Sequence, residues 1–133
     1  MAELYARHIG MDAASAGMYA ENGTMMSFGA ERALAAHGID ASGFRSRMFT
    51  AAMAEEADMI VGMSSTHCRE VIRRCPEAAE KTVTLLHYST GGDVADPFGG
   101  SESVYRRCLD GMIPALENLF ATIINKQKEV EHE

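Results

Sequence analysis

The sequence has few cysteines, no long apolar run and no excess of positive charge. Its three cysteines, an odd number in 133 residues, argue against a disulfide framework and favour a reducing compartment. No apolar run approaches the roughly 18 residues of a membrane span, and no secretory signal pattern is present, so we expect a soluble cytoplasmic protein. A net charge of -7 disfavours a nucleic-acid or anionic-membrane partner, since either would favour a basic surface.

The length and composition fit one compact domain. With 47% hydrophobic and 23% charged residues, the chain can bury a core of its own. We predict a single domain over residues 1–125 and a charged tail, frayed in solution, over 126–133.

Helix and strand signals alternate along this domain. Ser27, Thr50 and Ser101 stand where N-cap residues are favoured, and Pro114 should kink the last helix. The patterns predict helices at 1–8, 28–37, 51–57, from Ser65 or Thr66 to about Cys75, and 102–125, and strands at 12–16, 58–63 and 82–86. This alternation indicates an α/β sheet with right-handed crossovers.

The segment Asp93-Val94-Ala95-Asp96-Pro97-Phe98-Gly99-Gly100-Ser101 carries the main chemical signal. Pro97 biases Asp96 toward an extended conformation and stiffens the loop, so that the carboxyl of Asp96 could be aimed into a pocket. Spacing alone nevertheless favours a simple turn closed by Gly99 and Gly100.

This segment resembles the acid loop of the low-molecular-weight protein-tyrosine phosphatases, in which the Asp of an Asp-Pro-aromatic turn protonates the leaving group. The resemblance covers about residues 1 to 125, and its wording is most similar to the bacterial branch that includes protein-arginine phosphatases. The further segments that carry it are Met1-Ala2-Glu3, Ser15-Ala16-Gly17, Gly38-Ile39-Asp40, Arg45-Ser46-Arg47 and residues 57–63.

The resemblance implies a phosphotyrosine-phosphatase-I-like three-layer α/β sandwich with a mostly parallel sheet. In the family, a central first strand and a nucleophile loop reading Cys-x-Gly-Asn-x-Cys-Arg-Ser-Pro stand just before the residues matched by Met1-Ala2-Glu3. That motif does not occur here, so we expect an N-terminally truncated or mis-started member. The sheet should then rearrange, with residues 12–16 moving beside Ile60, or another chain should complete it, as in a homo-oligomer.

The family reaction is hydrolysis of a phosphorylated protein side chain, phosphotyrosine or phosphoarginine, through a phosphocysteine intermediate. By resemblance, Asp96 is the general acid and Phe98 and Tyr19 line the substrate site; a surface role for both rings is about equally favoured. No cofactor is implied, and the dispersed histidines give little support for a metal site. Because the nucleophilic cysteine and the phosphate-binding arginine are missing, we expect this chain to be inactive as given.

Two alternatives remain open, and one pattern is rejected. The chain could be a non-catalytic interaction protein on the same scaffold, or, with less support, an arsenate-reductase-like redox enzyme using Cys68 and Cys75.

Cys68 and Arg74 satisfy Cys-x5-Arg by letter count, but the stretch lacks glycine and has helical spacing. Helical amides bond their own carbonyls and cannot cradle a phosphate, so we expect Cys68 to be a helix residue.

Overall fold

The computed structural model describes residues 1–131. Five α-helices, two short strands and two 3₁₀ helices follow one another along this part of the chain. In chain order they are α1 (Ala2–His8), α2 (Phe28–Ala35), α3 (Ala51–Glu56), β1 (Ile60–Gly62), α4 (Ser65–Arg74), a 3₁₀ helix (Pro76–Lys81), β2 (Thr82–Thr84), a 3₁₀ helix (Leu85–Tyr88) and α5 (Glu102–Glu131).

The two strands form a parallel pair, with α4 as the crossover between them. Ile60 lies opposite Thr82, and Gly62 lies opposite Thr84. Val61 packs against the larger cluster of buried residues, and its neighbour Ile60 packs against a smaller one. Successive strand residues point to opposite faces, so the two clusters lie on opposite sides of the sheet. The predicted layered α/β fold is therefore confirmed.

The predicted strand at 12–16 is wrong. Exposure alternates from Met11 to Ala16, as in an extended chain, but no backbone hydrogen bond within residues 1–131 joins 12–16 to Ile60. The chain instead pairs one residue later, where the Gly17 N–H donates to the Arg47 carbonyl at 2.9 Å and forms an isolated bridge with Met48. The predicted shift of 12–16 beside Ile60 is wrong for the same reason. Completion of the sheet by another chain stays a prediction.

The helix starts follow the predicted positions, but not always through the predicted contact. Thr50 caps α3 as expected, with its Oγ1 accepting from the Met53 N–H at 3.3 Å. Ser27 precedes α2 without a side-chain cap bond. Helix α4 begins at Ser65, one of the two predicted starts, and its cap is Ser64, whose Oγ accepts from the His67 N–H at 3.2 Å.

Helix α5 organises the larger core. Leu109 on α5 is fully buried together with Leu34 of α2 and Leu85, which follows β2 directly. The Tyr5 hydroxyl of α1 donates to Glu117 Oε1 at 3.0 Å and ties the first helix to the last. Three segments distant in sequence thus meet on one face of the sheet, and the fold depends on helix packing more than on a three-residue strand pair.

Helix α5 is longer than predicted, because it passes through Pro114 and continues to Glu131 instead of ending near residue 125. Residues 126–131 of the expected tail are thus helical, and residues 132 and 133 lie outside the described part. The division into a domain at 1–125 and a frayed tail stays a prediction. Within residues 1–131, no helix combines the length and apolar character that a bilayer crossing requires.

Candidate functional site

The loop that holds Asp96 is bounded by glycines in left-handed conformations. Gly91 and Gly92 precede it with φ of +77° and +83°, and Gly99 closes it with φ of +78°. A side chain is strained at such angles, which explains glycine at these three positions. We name residues 93–98 the acid loop.

Three contacts fix the acid loop on three different elements. The Val94 N–H donates to the carbonyl of Met63, just beyond β1, at 2.8 Å. Asp93 Oδ1 accepts from the N–H of Ser65, the first residue of α4, at 2.8 Å. Cys108 of α5 places its Sγ 3.7 Å from the Ala95 carbonyl oxygen. The loop therefore lies where the end of the sheet, the start of α4 and α5 come together.

Asp96 is exposed and forms a local turn. Its Oδ1 accepts from the Phe98 N–H at 3.0 Å, and the Gly100 N–H donates to the Pro97 carbonyl at 2.8 Å. Within residues 1–131, Asp96 Oδ2 accepts no hydrogen bond, so this oxygen is open to contact with a bound group.

A cavity of about 490 Å³ lies between the acid loop and α5, with Asp96 in its lining. The residues around it are Leu86, Thr90, Asp93, Val94, Ala95, Asp96, Pro97, Val104, Arg107, Cys108, Gly111 and Met112. It brings carboxylates, a guanidinium and a thiol beside apolar side chains, a combination typical of sites that orient small polar ligands.

Phe98 and Tyr19 are both surface aromatics. Their side chains are 86% and 85% exposed, so neither ring packs onto the sheet edge. Tyr19 lies beneath the Arg74 guanidinium, whose carbon is 5.9 Å from the ring centroid. Both rings are thus accessible to a partner, and their predicted contact with substrate stays a prediction.

Sequence reasoning missed the residues that hold the acid loop. The sequence pattern predicts Ser65 only as a helix start and Cys108 and Arg107 only as parts of a helix. One signal was available for Ser65, because the first amides of a helix need an acceptor and carboxylates are favoured there. The contact to Cys108 depends on how α5 packs, which no local pattern encodes.

Cys68 and Cys75 are both buried, in or at the end of α4. Cys68 is buried inside α4 against Gly62, and burial raises the pKa of its thiol, which disfavours the thiolate that a nucleophile needs. Cys75 at the end of α4 is buried as well.

The redox alternative needs a disulfide between Cys68 and Cys75. Seven residues of α-helix separate their Cα atoms by about 10 Å along the axis. A disulfide spans only about 4.4–6.8 Å between Cα atoms, so the last turns of α4 would have to unwind. No group of three or more His, Cys, Asp or Glu side chains within residues 1–131 could hold a metal ion.

The family model described as low molecular weight phosphotyrosine protein phosphatase matches residues 1–130. This chain belongs to that family. The predicted family is therefore confirmed.

Two relatives and one solved structure show what this chain is similar to. The protein-arginine-phosphatase of Geobacillus stearothermophilus is 34% identical over 120 residues, which are 89% of this chain and 80% of the relative. The solved YwlE arginine phosphatase from the same organism superposes with a TM-score of 0.89 at 32% identity, over 96% of this chain and 86% of that chain. A low molecular weight protein-tyrosine-phosphatase of Escherichia coli K12 is 30% identical over 69 residues, which are 52% of this chain and 47% of the relative.

Proposed function

We propose that this chain carries the general acid of a phosphoarginine-protein phosphatase, Asp96. The observation that carries the proposal is the geometry of the acid loop: a free carboxylate oxygen of Asp96 beside a cavity, on a scaffold of the matching family. We propose phosphoarginine rather than phosphotyrosine as the substrate because the match to the arginine phosphatase of Geobacillus stearothermophilus extends over 120 residues. The match to the Escherichia coli tyrosine phosphatase extends over 69.

The proposed reaction has two steps. A cysteine thiolate takes the phosphoryl group from the substrate nitrogen, the P–N bond breaks, and Asp96 gives its proton to the leaving guanidine. Water then attacks the phosphocysteine while Asp96, now a carboxylate, accepts a proton from it; inorganic phosphate leaves and the thiolate is restored.

We propose that none of the three cysteines of this chain serves as that nucleophile. Cys68 and Cys75 are buried in or at the end of α4, and Cys108 is a helix residue whose thiol has its pKa raised by burial. We therefore propose that the chain as given has no turnover, and that Asp96 acts once the family's nucleophile loop is joined to it.

A matched pair of proteins tests this proposal. The first is the 133-residue chain; the second, the loop-bearing variant, carries the family's first strand and the Cys-x-Gly-Asn-x-Cys-Arg-Ser-Pro loop ahead of Met1. Release of phosphate from a phosphoarginine protein and a phosphotyrosine peptide is measured for both. We expect turnover only from the loop-bearing variant, with a higher kcat/KM on phosphoarginine.

Two controls make the result interpretable. Changing the first cysteine of the added loop to Ser must abolish turnover, whereas Cys68→Ser must not. Turnover by the 133-residue chain that disappears with Cys68→Ser would contradict the proposed role of the cysteines. A folded loop-bearing variant that prefers phosphotyrosine would contradict the proposed substrate.

A further inference from the structure

We propose that Asp93 is a positioning residue, which holds the acid loop so that Asp96 faces the cavity. The proposal rests on the proposed function, in which Asp96 is the general acid. Asp93 does not contact Asp96 through a hydrogen bond; it acts by joining the acid loop to the first turn of α4.

Asp93 contacts the first residue of α4 through both of its carboxylate oxygens. Its Oδ1 accepts from the Ser65 N–H at 2.8 Å, and its Oδ2 lies 3.4 Å from Ser65 Oγ. The amide of a first helical residue has no partner inside the helix, and the helix N-terminus favours a negative charge. The bond between Asp93 and Ser65 is thus charge-assisted and shorter than the hydroxyl contact.

The flanks of the acid loop are rich in glycine, and among the described residues they hold the loop at only two points: the Gly91 N–H donates to the Leu86 carbonyl at 2.7 Å, and Gly100 lies close to Val104 of α5. Gly91, Gly92 and Gly99 have positive φ, and a side chain at any of them would meet nothing within 4 Å. No Cβ atom limits backbone rotation at these three glycines, and of the three only Gly91 donates a backbone hydrogen bond within the described residues. The position of Asp96 consequently depends largely on the contacts that residues 93–95 make with the rest of the chain.

Of these contacts, the Asp93 bond is the one that joins the loop to α4. The Val94 N–H, which donates to the Met63 carbonyl, belongs to the residue next to Asp93. A change in the backbone orientation of Asp93 therefore also turns the Val94 N–H. The contact of Cys108 to Ala95, at 3.7 Å, is a weak sulfur hydrogen bond. Loss of the Asp93 carboxylate should accordingly release the Val94 bond as well, and Asp96 would then sample several orientations.

Two substitutions of Asp93 separate its hydrogen bond from its charge. Asp93→Ala removes both the acceptor and the charge, whereas Asp93→Asn keeps an acceptor for the Ser65 amide. Ser65→Ala is the matched control, because it removes only the hydroxyl contact. Asp93 is exposed and Ser65 is half-buried, so none of the three substitutions alters the core. A thermal melt checks that each variant is folded.

Amide hydrogen exchange of the 133-residue chain measures how firmly the loop is held. Asp93→Ala should accelerate exchange of the Ser65 and Val94 amides by about tenfold or more, the effect expected for one hydrogen bond to a charged group. Asp93→Asn should give a smaller increase, and Ser65→Ala almost none. The amides of Leu109 and Leu116 in α5 should not change in any variant.

The Phe98 amide reports on Asp96 itself. Because Phe98 donates to Asp96 Oδ1, its NMR shift follows the protonation of Asp96 as pH falls. In Asp93→Ala the amplitude of that titration should shrink, and in Asp93→Asn it should be retained. A general loss of stability would not separate the two variants in this way.

Unchanged exchange at Ser65 and Val94 in Asp93→Ala would overturn the proposal. So would a Phe98 titration with the same amplitude in Asp93→Ala as in the unmodified chain. Neither measurement requires turnover, and a failure of the proposed phosphatase function would therefore be seen separately.

Discussion

Glu70 shows how a single residue on α4 can couple stability to pH. Arg73 Nη2 donates to Glu70 Oε1 at 2.6 Å and Arg74 Nε donates to the same oxygen at 2.9 Å. The hydrogen bond from Arg73, followed by that from Arg74, lowers the pKa of Glu70 from 4.5 to about 2. The folded-state pKa is thus below the unfolded value, so this contribution to stability is present above pH 4.5 and is lost as the pH falls toward 2.

We predict that Glu70→Gln flattens the acid limb of the stability curve. Between pH 4.5 and 2, the Tm of the unmodified chain should fall more steeply than that of the variant. The difference should be small and should shrink in high salt, because this ion pair lies at the surface. Thermal melts at several pH values measure it, with Glu77→Gln as the control. Parallel curves for Glu70→Gln and the unmodified chain would refute the prediction.

At the site, the sequence predicted Asp96 but not the residues that contact its loop. Asp96 was identified by the Asp-Pro-aromatic pattern and by family resemblance, and the structure shows it exposed beside a cavity. Ser65 and Cys108 were not identified as its supports, because they approach the loop from elements 28 and 13 residues away. Contacts of this kind depend on tertiary packing rather than on local pattern.

At the scale of elements, the join between β1 and α4 is tightly packed. A Cβ atom added at Gly62 would lie 2.6 Å from Cys68 Sγ and 3.2 Å from the Ser64 carbonyl oxygen. Gly62 has no positive φ, so its small size rather than its backbone conformation is what this position requires. This close approach brings the end of β1 against the first turn of α4, where Asp93 also binds.

We predict that Gly62→Ala destabilises the chain by about 1–3 kcal/mol, the usual cost of overpacking. Gly62→Ala combined with Cys68→Ala should recover part of the loss, because the sulfur is then gone while the Ser64 carbonyl remains. Urea unfolding gives both values. Gly43→Ala, where a Cβ would meet nothing within 4 Å, is the control and should change stability by less than about 0.5 kcal/mol. Equal stability of Gly62→Ala and Gly43→Ala would contradict this account of the join.

Helices were predicted better than strands, for a physical reason. Helix α4 carries its own signals, from a cap at Ser64 to a stop at Cys75-Pro76, since its hydrogen bonds are local. A strand needs a partner, and the extended residues 12–16 have no backbone partner within the described chain. The same locality explains α5, whose helical bonds continue past the residue at which composition suggested an end.

At the scale of the whole molecule, the order of motifs along the chain predicted the family and fold class correctly. The layered α/β architecture and the TM-score of 0.89 to an arginine phosphatase agree with that prediction. The sheet of two strands could not be deduced in detail, because strand pairing is decided by segments far apart in sequence. Cytoplasmic location and self-association stay predictions.

The central claim is that Asp96 protonates the leaving group, and the most direct measurement is the leaving-group dependence of hydrolysis. Asp96→Asn is introduced into the loop-bearing variant, and rates are compared for a good aryl leaving group and a poor alkyl one. We predict a loss of about 10²–10⁴ on the poor leaving group, with a much smaller loss on the aryl phosphate, which needs little protonation. Equal losses on both substrates, or no loss on either, would contradict the assignment of Asp96 as the acid.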